Sequence, residues 1–487
     1  MDLDAAAAVA DDLRAAGYTV AALAPLWGSA AEAALRAGDG APARWAIRDR
    51  DDAASVLARL LYFGEPVSRR ELDAALPGAR VEGAQSLGLV RADGEGVSAR
   101  LVVRPLDIAG RDGWIASDPD ELAGVAPLPP GHVLGVGGAA RTLVSLLPER
   151  GAGRALDLGC GCGVLALELR ARGFEVVATD ISPRALGITA LNVALNGVDG
   201  VETRLGSLFE PVAGERFSFV ASNPPFVITP RTGDVVVHEY RDGGLAGDAL
   251  MAAVVAGLAD HLEPDGQARL LGNWEGAAGR VRSWAPRLGM WLVERERLDP
   301  AAYARLWIRD GGVAPGQAGY DRLMAAWLGD FAARGVTGIG MGWVIVTAAD
   351  PALARVEQVT AAVAGAGLGA HVEAALAAHT RLRSLDDAAL AASVLRVCPD
   401  VTEARHHLPG VEAPAVIELR QGGGLGRAVE ADPGLAALVG ACDGDLPAGA
   451  LIDAIAELLD VEAGALRAEL IPRVRELLFT GFLTLCD

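Results

Sequence analysis

Three short stretches of the chain carry residue types and spacings that could do chemistry. The first runs Asp157-Leu158-Gly159-Cys160-Gly161-Cys162-Gly163, after the apolar Ala155-Leu156 and before Val164-Leu165-Ala166-Leu167. Alternate glycines let the backbone turn tightly against a ligand, and a helix that starts there offers backbone N–H groups. A dinucleotide fingerprint would need its third glycine at position 164, where Val164 stands, so the spacing points away from NAD or FAD. The second stretch is Val176-Val177-Ala178-Thr179-Asp180, about one strand–helix–strand unit further on. An acid at the carboxyl end of such a strand is placed to bind ribose hydroxyls. The third is Asn223-Pro224-Pro225-Phe226, which closes the apolar run 217–222. Its two prolines fix φ and make the turn rigid.

These stretches need a sheet that brings strand ends together. Strands are predicted at 155–158, 176–180, 201–205, 217–222, 267–271, 290–295 and 338–347, with helical pattern between them. That alternation predicts an α/β fold, a doubly wound Rossmann-like sheet presenting its ligand face at the strands' carboxyl ends. Residues 299–336, with Tyr303, Trp307, Tyr320 and Trp327, read as a helical insertion whose aromatics form core. Residues 227–248 carry Arg231, His238, Glu239, Tyr240, Arg241 and Asp242 among glycines and read as a lid.

With the three motifs in this order, residues 132–348 resemble the class I S-adenosylmethionine-dependent methyltransferases with an Asn-Pro-Pro-Tyr/Phe motif. These include the release-factor glutamine methyltransferases and the adenine amino-methyltransferases of DNA and RNA. The resemblance implies S-adenosyl-L-methionine as cofactor. Asp157, Gly159, Cys160, Gly161 and Gly163 would hold its methionine portion, with the glycine-rich segment 128–138 closing over it. Asp180 and Ile181 would hold the ribose, and Ser207 and Leu208 the adenine edge. Relatives commonly carry Asp where Ser207 stands. The Asn223 side-chain oxygen and the Pro224 carbonyl would accept the two N–H bonds of a planar amide or amine, Pro225 would stiffen the turn, and Phe226 would stack on the planar group.

A chain of 487 residues, 51% hydrophobic, is long enough for several cores. Three domains are expected: 1–127, helical and winged-helix-like; 128–349, the methyltransferase; and 350–487, ending in a second winged-helix-like unit. The amino-terminal reading rests on a capping box at Ser68-Arg69-Arg70-Glu71 and a hairpin signal at 89–103. Every base is arginine, as in a bacterium with a GC-rich genome, and 63 acids against 43 bases give a net charge of −20. Such a charge disfavours broad binding to nucleic acid or anionic membrane. Five scattered cysteines suggest neither a disulfide framework nor a zinc site, and His406-His407 lacks further ligands at metal spacing. The acidic amino terminus and the lack of a membrane-length apolar run lead to a cytoplasmic expectation. The expected partner is a methyl acceptor, a protein side chain or a natural-product-like molecule. The rivals are an rRNA or tRNA adenine and a cofactor-binding scaffold without turnover.

Overall fold

The computed structural model describes residues 2–126, 128–231, 241–360, 363 and 367–486. It divides into two compact units, Met1–Val144 with Arg150–Glu357, and Ser145–Glu149 with Gln358–Asp487. In the first unit an eight-stranded sheet is built from β1 (Arg154–Leu158), β2 (Glu175–Asp180), β3 (Val201–Leu205), β4 (Phe217–Ser222), β5 (Leu262–Glu275), β6 (Gly289–Leu298), β7 (Ile339–Thr347) and β8 (Ala354–Gln358). Its order is β8-β6-β7-β5-β4-β1-β2-β3. The run β3-β2-β1-β4-β5 is parallel, while β7 pairs antiparallel with both β5 and β6. Parallel strands covered on both faces read as mostly apolar runs, and β1 and β4 are buried along most of their length here. The α/β doubly wound reading therefore holds.

Helices α1 (Val164–Ala171), α2 (Pro183–Leu195) and α3 (Ala249–His261) join the parallel strands. One core face gathers Leu156, Val220, Val255, Leu258, Leu270 and Trp274. The expected insertion is present as α4 (Pro300–Asp310) and α5 (Tyr320–Ala333). Tyr303, Trp327 and Phe331 of these helices form a separate core with Val227, Ile228 and Ile339.

Ahead of the sheet, Ser68 and Glu71 form the predicted capping box: Ser68 Oγ accepts from the Glu71 N–H at 3.2 Å, and the Glu71 carboxylate accepts from the Ser68 N–H at 2.8 Å. The hairpin signal at 89–103 resolves differently from the single pair expected. Val90–Asp93 pairs with Gly96–Ala99, and a second hairpin follows, Val102–Ile108 with Arg111–Ser117. Its turn takes Ala109 and Gly110 to φ of 47° and 83°, a conformation that an Ala-Gly pair advertises poorly in sequence.

In the second unit, helices Pro433–Ala441, Ala448–Leu459 and Ala463–Thr480 pack around Leu435, Ile452, Leu470, Val474 and Phe482. Val394–Val397 lies between Asp443–Pro447 and Leu483–Leu485 in one three-stranded sheet, and Val401–His407, Pro414–Gln421 and Ala428–Ala431 form another. His406 is exposed, its Nε2 3.2 Å from Glu418 Oε2. Among the described residues no cluster of His, Cys, Asp and Glu could hold a metal ion, and no helix is long and apolar enough to cross a membrane.

Candidate active site

A cavity of about 390 Å³ opens at the carboxyl ends of β1 and β4, where the strand order reverses. Its walls bring together Gly159, Cys160, Gly161, Asp180, Ile181, Ser207, Leu208, Asn223, Pro224 and Pro225 from the sequence-predicted set. Asp157, Gly163 and Phe226 are not on them.

The glycine turn is tied to β2 by its own N–H groups. Gly159 and Cys160 both donate to the Thr179 carbonyl at 2.9 Å, Gly161 donates to Asp180 Oδ2 at 2.9 Å, and Gly163 donates to the Cys160 carbonyl at 2.7 Å. Four N–H groups of the turn itself are thus spent on holding its shape. At Gly159 and Gly161, with φ of +76° and +54°, an added Cβ would meet no atom within 4 Å, so the cavity has an open cradle at this turn. At Gly163 the Cβ would meet Thr189 at 2.7 Å, so this glycine serves close packing against α2 behind the cavity.

Asp157 also lies behind the wall. It is fully buried, and its Oδ2 accepts from the Ala166 N–H in the first turn of α1 at 2.9 Å. Burial pushes its carboxyl up to about 7, the Ala166 N–H opposes that rise, and the Asp180 charge adds to it. Asp180 itself faces the cavity and holds both sides of the loop, accepting from Gly161 N–H at one oxygen and from Ser182 N–H at the other. The cysteines of the turn are neutral thiols: burial drives Cys160 up, and pushes Cys162 up to about 11. Neither is a nucleophile at neutral pH.

Segment 131–137, anticipated as a cover, forms a wall of the cavity through His132, Val133, Leu134, Gly135 and Gly137. Two backbone-level bonds fix it: Asp118 N–H donates to the Val133 carbonyl at 3.1 Å, and Val133 N–H donates to Asp118 Oδ2 at 2.9 Å. Burial would raise Asp118, but the Arg184 guanidinium and the Val133 N–H hold it below the usual carboxylate range. On the adenine side predicted from sequence, Gly206 N–H donates to the Asp180 carbonyl at 3.0 Å, and Leu208 adopts φ of 48°, a strained choice for a branched residue.

At the end of β4, Ser222 Oγ donates to the Leu158 carbonyl at 2.7 Å and locks the two strand ends together. The next residue, Asn223, lines the cavity with a buried Oδ1 that has no hydrogen-bond partner among the described residues. Phe226 turns away from the cavity and packs against the insertion core. The reason is its strand pairing: Phe226 bridges Asp242, while Val227 N–H donates to the Arg241 carbonyl at 2.8 Å and Gly243 N–H to the Pro225 carbonyl at 3.2 Å. Arg231 is ion-paired with Asp242, and Arg241 with Asp310. His238, Glu239 and Tyr240 of the anticipated lid lie outside the described residues. Tyr303 anchors the strap, the stretch that follows the Asn-Pro-Pro-Phe turn, its hydroxyl accepting from Ile228 N–H at 3.0 Å and Asn273 Nδ2 at 2.7 Å.

Sequence reasoning missed several wall residues, among them Thr179, Ser222, Leu245 and Leu250. Ser222 has a readable signal, a lone hydroxyl ending an apolar strand. Leu245 and Leu250 do not, because only the return of the strap brings them to the cavity.

Comparison with known proteins matches residues 135–274 to the methyltransferase small domain and residues 15–100 to a domain of unknown function (DUF7059). A release factor glutamine methyltransferase of Xylella fastidiosa is 36% identical over 26% of this chain and 50% of its own length. One from Deinococcus radiodurans is 43% identical over 23% of this chain and 43% of its own. A ribosomal RNA small subunit methyltransferase C of Idiomarina loihiensis is 31% identical over 25% of this chain and 31% of its own. The chain thus spans half or less of the length of these curated relatives.

Proposed function

We propose, from a segment 135–274 that is a class I S-adenosylmethionine-dependent methyltransferase domain, that the chain methylates a planar amide or amine nitrogen. The favoured acceptor is a protein side chain or a natural-product-like molecule. Asn223, a residue of the cavity wall whose buried Oδ1 has no partner among the described residues, is the observation that carries this reading. Leaving a buried acceptor unpaired costs roughly 1–3 kcal/mol, a cost that a donor reaching it would offset.

The residues present fit the cofactor. Open space beside Gly159 and Gly161 gives the cradle, and the Asp180 carboxylate faces the cavity with lone pairs beyond its two backbone bonds. S-adenosylmethionine, when bound, supplies an electrophilic methyl group on a sulfonium. The chain's own part is alignment and exclusion of water. An amide or aryl amine nitrogen has its lone pair delocalised, and acceptors that hold its hydrogens restore nucleophilicity. Asn223 Oδ1 supplies one such acceptor, and the Pro224 carbonyl, in a turn stiffened by Pro225, is assigned as the second. Asp180 with Ile181 holds the ribose, and Ser207 with Leu208 the adenine edge. Asp157 and Gly163 act from behind the wall, by fixing the turn. Phe226 is reassigned from stacking on the acceptor to anchoring the strap. The flanking segments, read as winged-helix-like modules, select the acceptor.

A second reading, an RNA base amine, is favoured by the similarity to a ribosomal RNA methyltransferase. Incubation with methyl-labelled cofactor and fractionated cell extract separates the two. The proposal expects label in a protein or small-molecule N-methyl product that is lost with Asn223→Ala; label confined to RNA overturns the acceptor assignment.

A further inference from the structure

The amino-terminal segment packs one strand behind the wall of the cofactor cavity. Strand Arg111–Ser117 lies along α2 and is held there by two asparagines one helical turn apart. Asn196 Oδ1 accepts from Trp114 N–H at 3.0 Å and its Nδ2 donates to the Trp114 carbonyl at 2.8 Å. Asn192 repeats the arrangement with Ala116, at 2.7 Å and 2.9 Å. Side-chain amides thus supply the pairing that a neighbouring strand would give, on an edge that is otherwise unpaired. Fully buried, Asn192 does more: its Nδ2 also donates to the Cys162 carbonyl at 2.8 Å, inside the glycine turn.

The same strand also leads to segment 131–137. Asp118, the residue after it, bonds to both the N–H and the carbonyl of Val133, and pairs with Arg184 in the first turn of α2. Gly135 is pressed against the Ser117 hydroxyl, where an added Cβ would stand 2.9 Å from Oγ. Residues 114–118 therefore brace the lining of the cavity at two places, Cys162 through Asn192 and Val133 through Asp118.

We infer that the amino-terminal segment is a working part of the cofactor site, with Asn192 and Asp118 as positioning residues, so that cofactor binding and docking of strand 111–117 reinforce each other. A freely tethered substrate-selecting module would have no such link. The inference rests on the cofactor reading of the cavity. Linkage is reciprocal: whatever the docked strand adds to cofactor affinity, the cofactor adds to docking.

The test uses the full chain and S-adenosylhomocysteine. Asn192→Ala should weaken its binding by roughly tenfold, the scale of one or two buried hydrogen bonds. Asn196→Ala, which loosens the same strand without reaching the turn, should weaken binding by less, about two- to threefold. In the wild-type chain, the ligand should slow hydrogen exchange at the Trp114, Ala116 and Asp118 amides. Unchanged affinity in both variants, or exchange at those amides that the ligand leaves unchanged, overturns the inference. Should Asn192→Ala fail to fold, the wild-type exchange measurement decides alone. A wild-type chain that does not bind S-adenosylhomocysteine overturns the cofactor reading and the inference together; one that binds it without slowing exchange overturns the inference only.

Discussion

Single residues divide into those that face the ligand and those that hold the wall, and the two kinds predict different phenotypes. Asp180 does both. Asp180→Ala should weaken S-adenosylhomocysteine binding, measured by calorimetry, by roughly 1.5–3 kcal/mol, the worth of hydrogen bonds to a charged group; unchanged affinity would remove Asp180 from the site. Asp157 belongs to the wall and carries a pH signature. Burial raises its folded pKa to about 7, against about 3.9 in an unfolded chain. Below about pH 4 both states are protonated and the group costs nothing. Between about pH 4 and 7 the unfolded chain ionises while the folded chain keeps its proton, so stability falls as pH rises; above 7 the loss is complete. The penalty amounts to at most about 4 kcal/mol. Asp157→Asn keeps an oxygen for the Ala166 N–H and should abolish this slope, so that urea denaturation shows the variant gaining on the wild type between pH 4 and 7. Parallel pH profiles would place the Asp157 proton elsewhere. From sequence the pattern of Asp157 and the glycines was legible, but not which of them face the ligand. That depends on which N–H groups the neighbouring strand consumes.

At the scale of elements, β1, β2 and β4 were legible because burial along most of their length gives each an apolar run, while the partly exposed β3, Val-Glu-Thr-Arg-Leu, was legible from its place in the strand–helix alternation. Elements with neither signal escaped. β8 reads Ala-Arg-Val-Glu-Gln and is a sheet edge, with solvent on alternate residues. β5 was predicted at 267–271 but spans Leu262–Glu275, its pairing to β4 irregular between Leu262 and Gln267. Pro264-Asp265-Gly266 disguised that extension as a turn. The insertion illustrates an element whose existence was readable and whose duty was not: α4 carries Tyr303, the anchor of the strap that follows Asn-Pro-Pro-Phe. Tyr303→Phe leaves Ile228 N–H without its acceptor in a buried place, which should cost about 1–3 kcal/mol in denaturant titration. It should also lower turnover more than cofactor affinity, since the strap borders the acceptor half. A variant as stable as the wild type would show that the Tyr303 hydroxyl does not hold the strap.

For the whole molecule, charge decides which acceptors meet the site easily. A chain with net charge −20 repels a polyanion at long range, and at physiological ionic strength, where the Debye length is roughly 8 Å, only close cationic contacts would survive. Arg231 and Arg241, the arginines of the strap, are each committed to an acid. Fluorescence anisotropy against mixed cellular RNA should therefore show no binding at that ionic strength; tight binding that weakens steeply with salt would reveal several phosphate contacts and promote the RNA reading. The central claim concerns one residue, Asn223, which lines the cavity and whose buried Oδ1 has no partner among the described residues. It is tested most directly by comparing Asn223→Ala with the wild type for methyl transfer and for S-adenosylhomocysteine affinity. The prediction is a loss of turnover greater than about a hundredfold, the scale of a transition-state hydrogen bond, with cofactor affinity unchanged. Turnover within a few-fold of the wild type would contradict it.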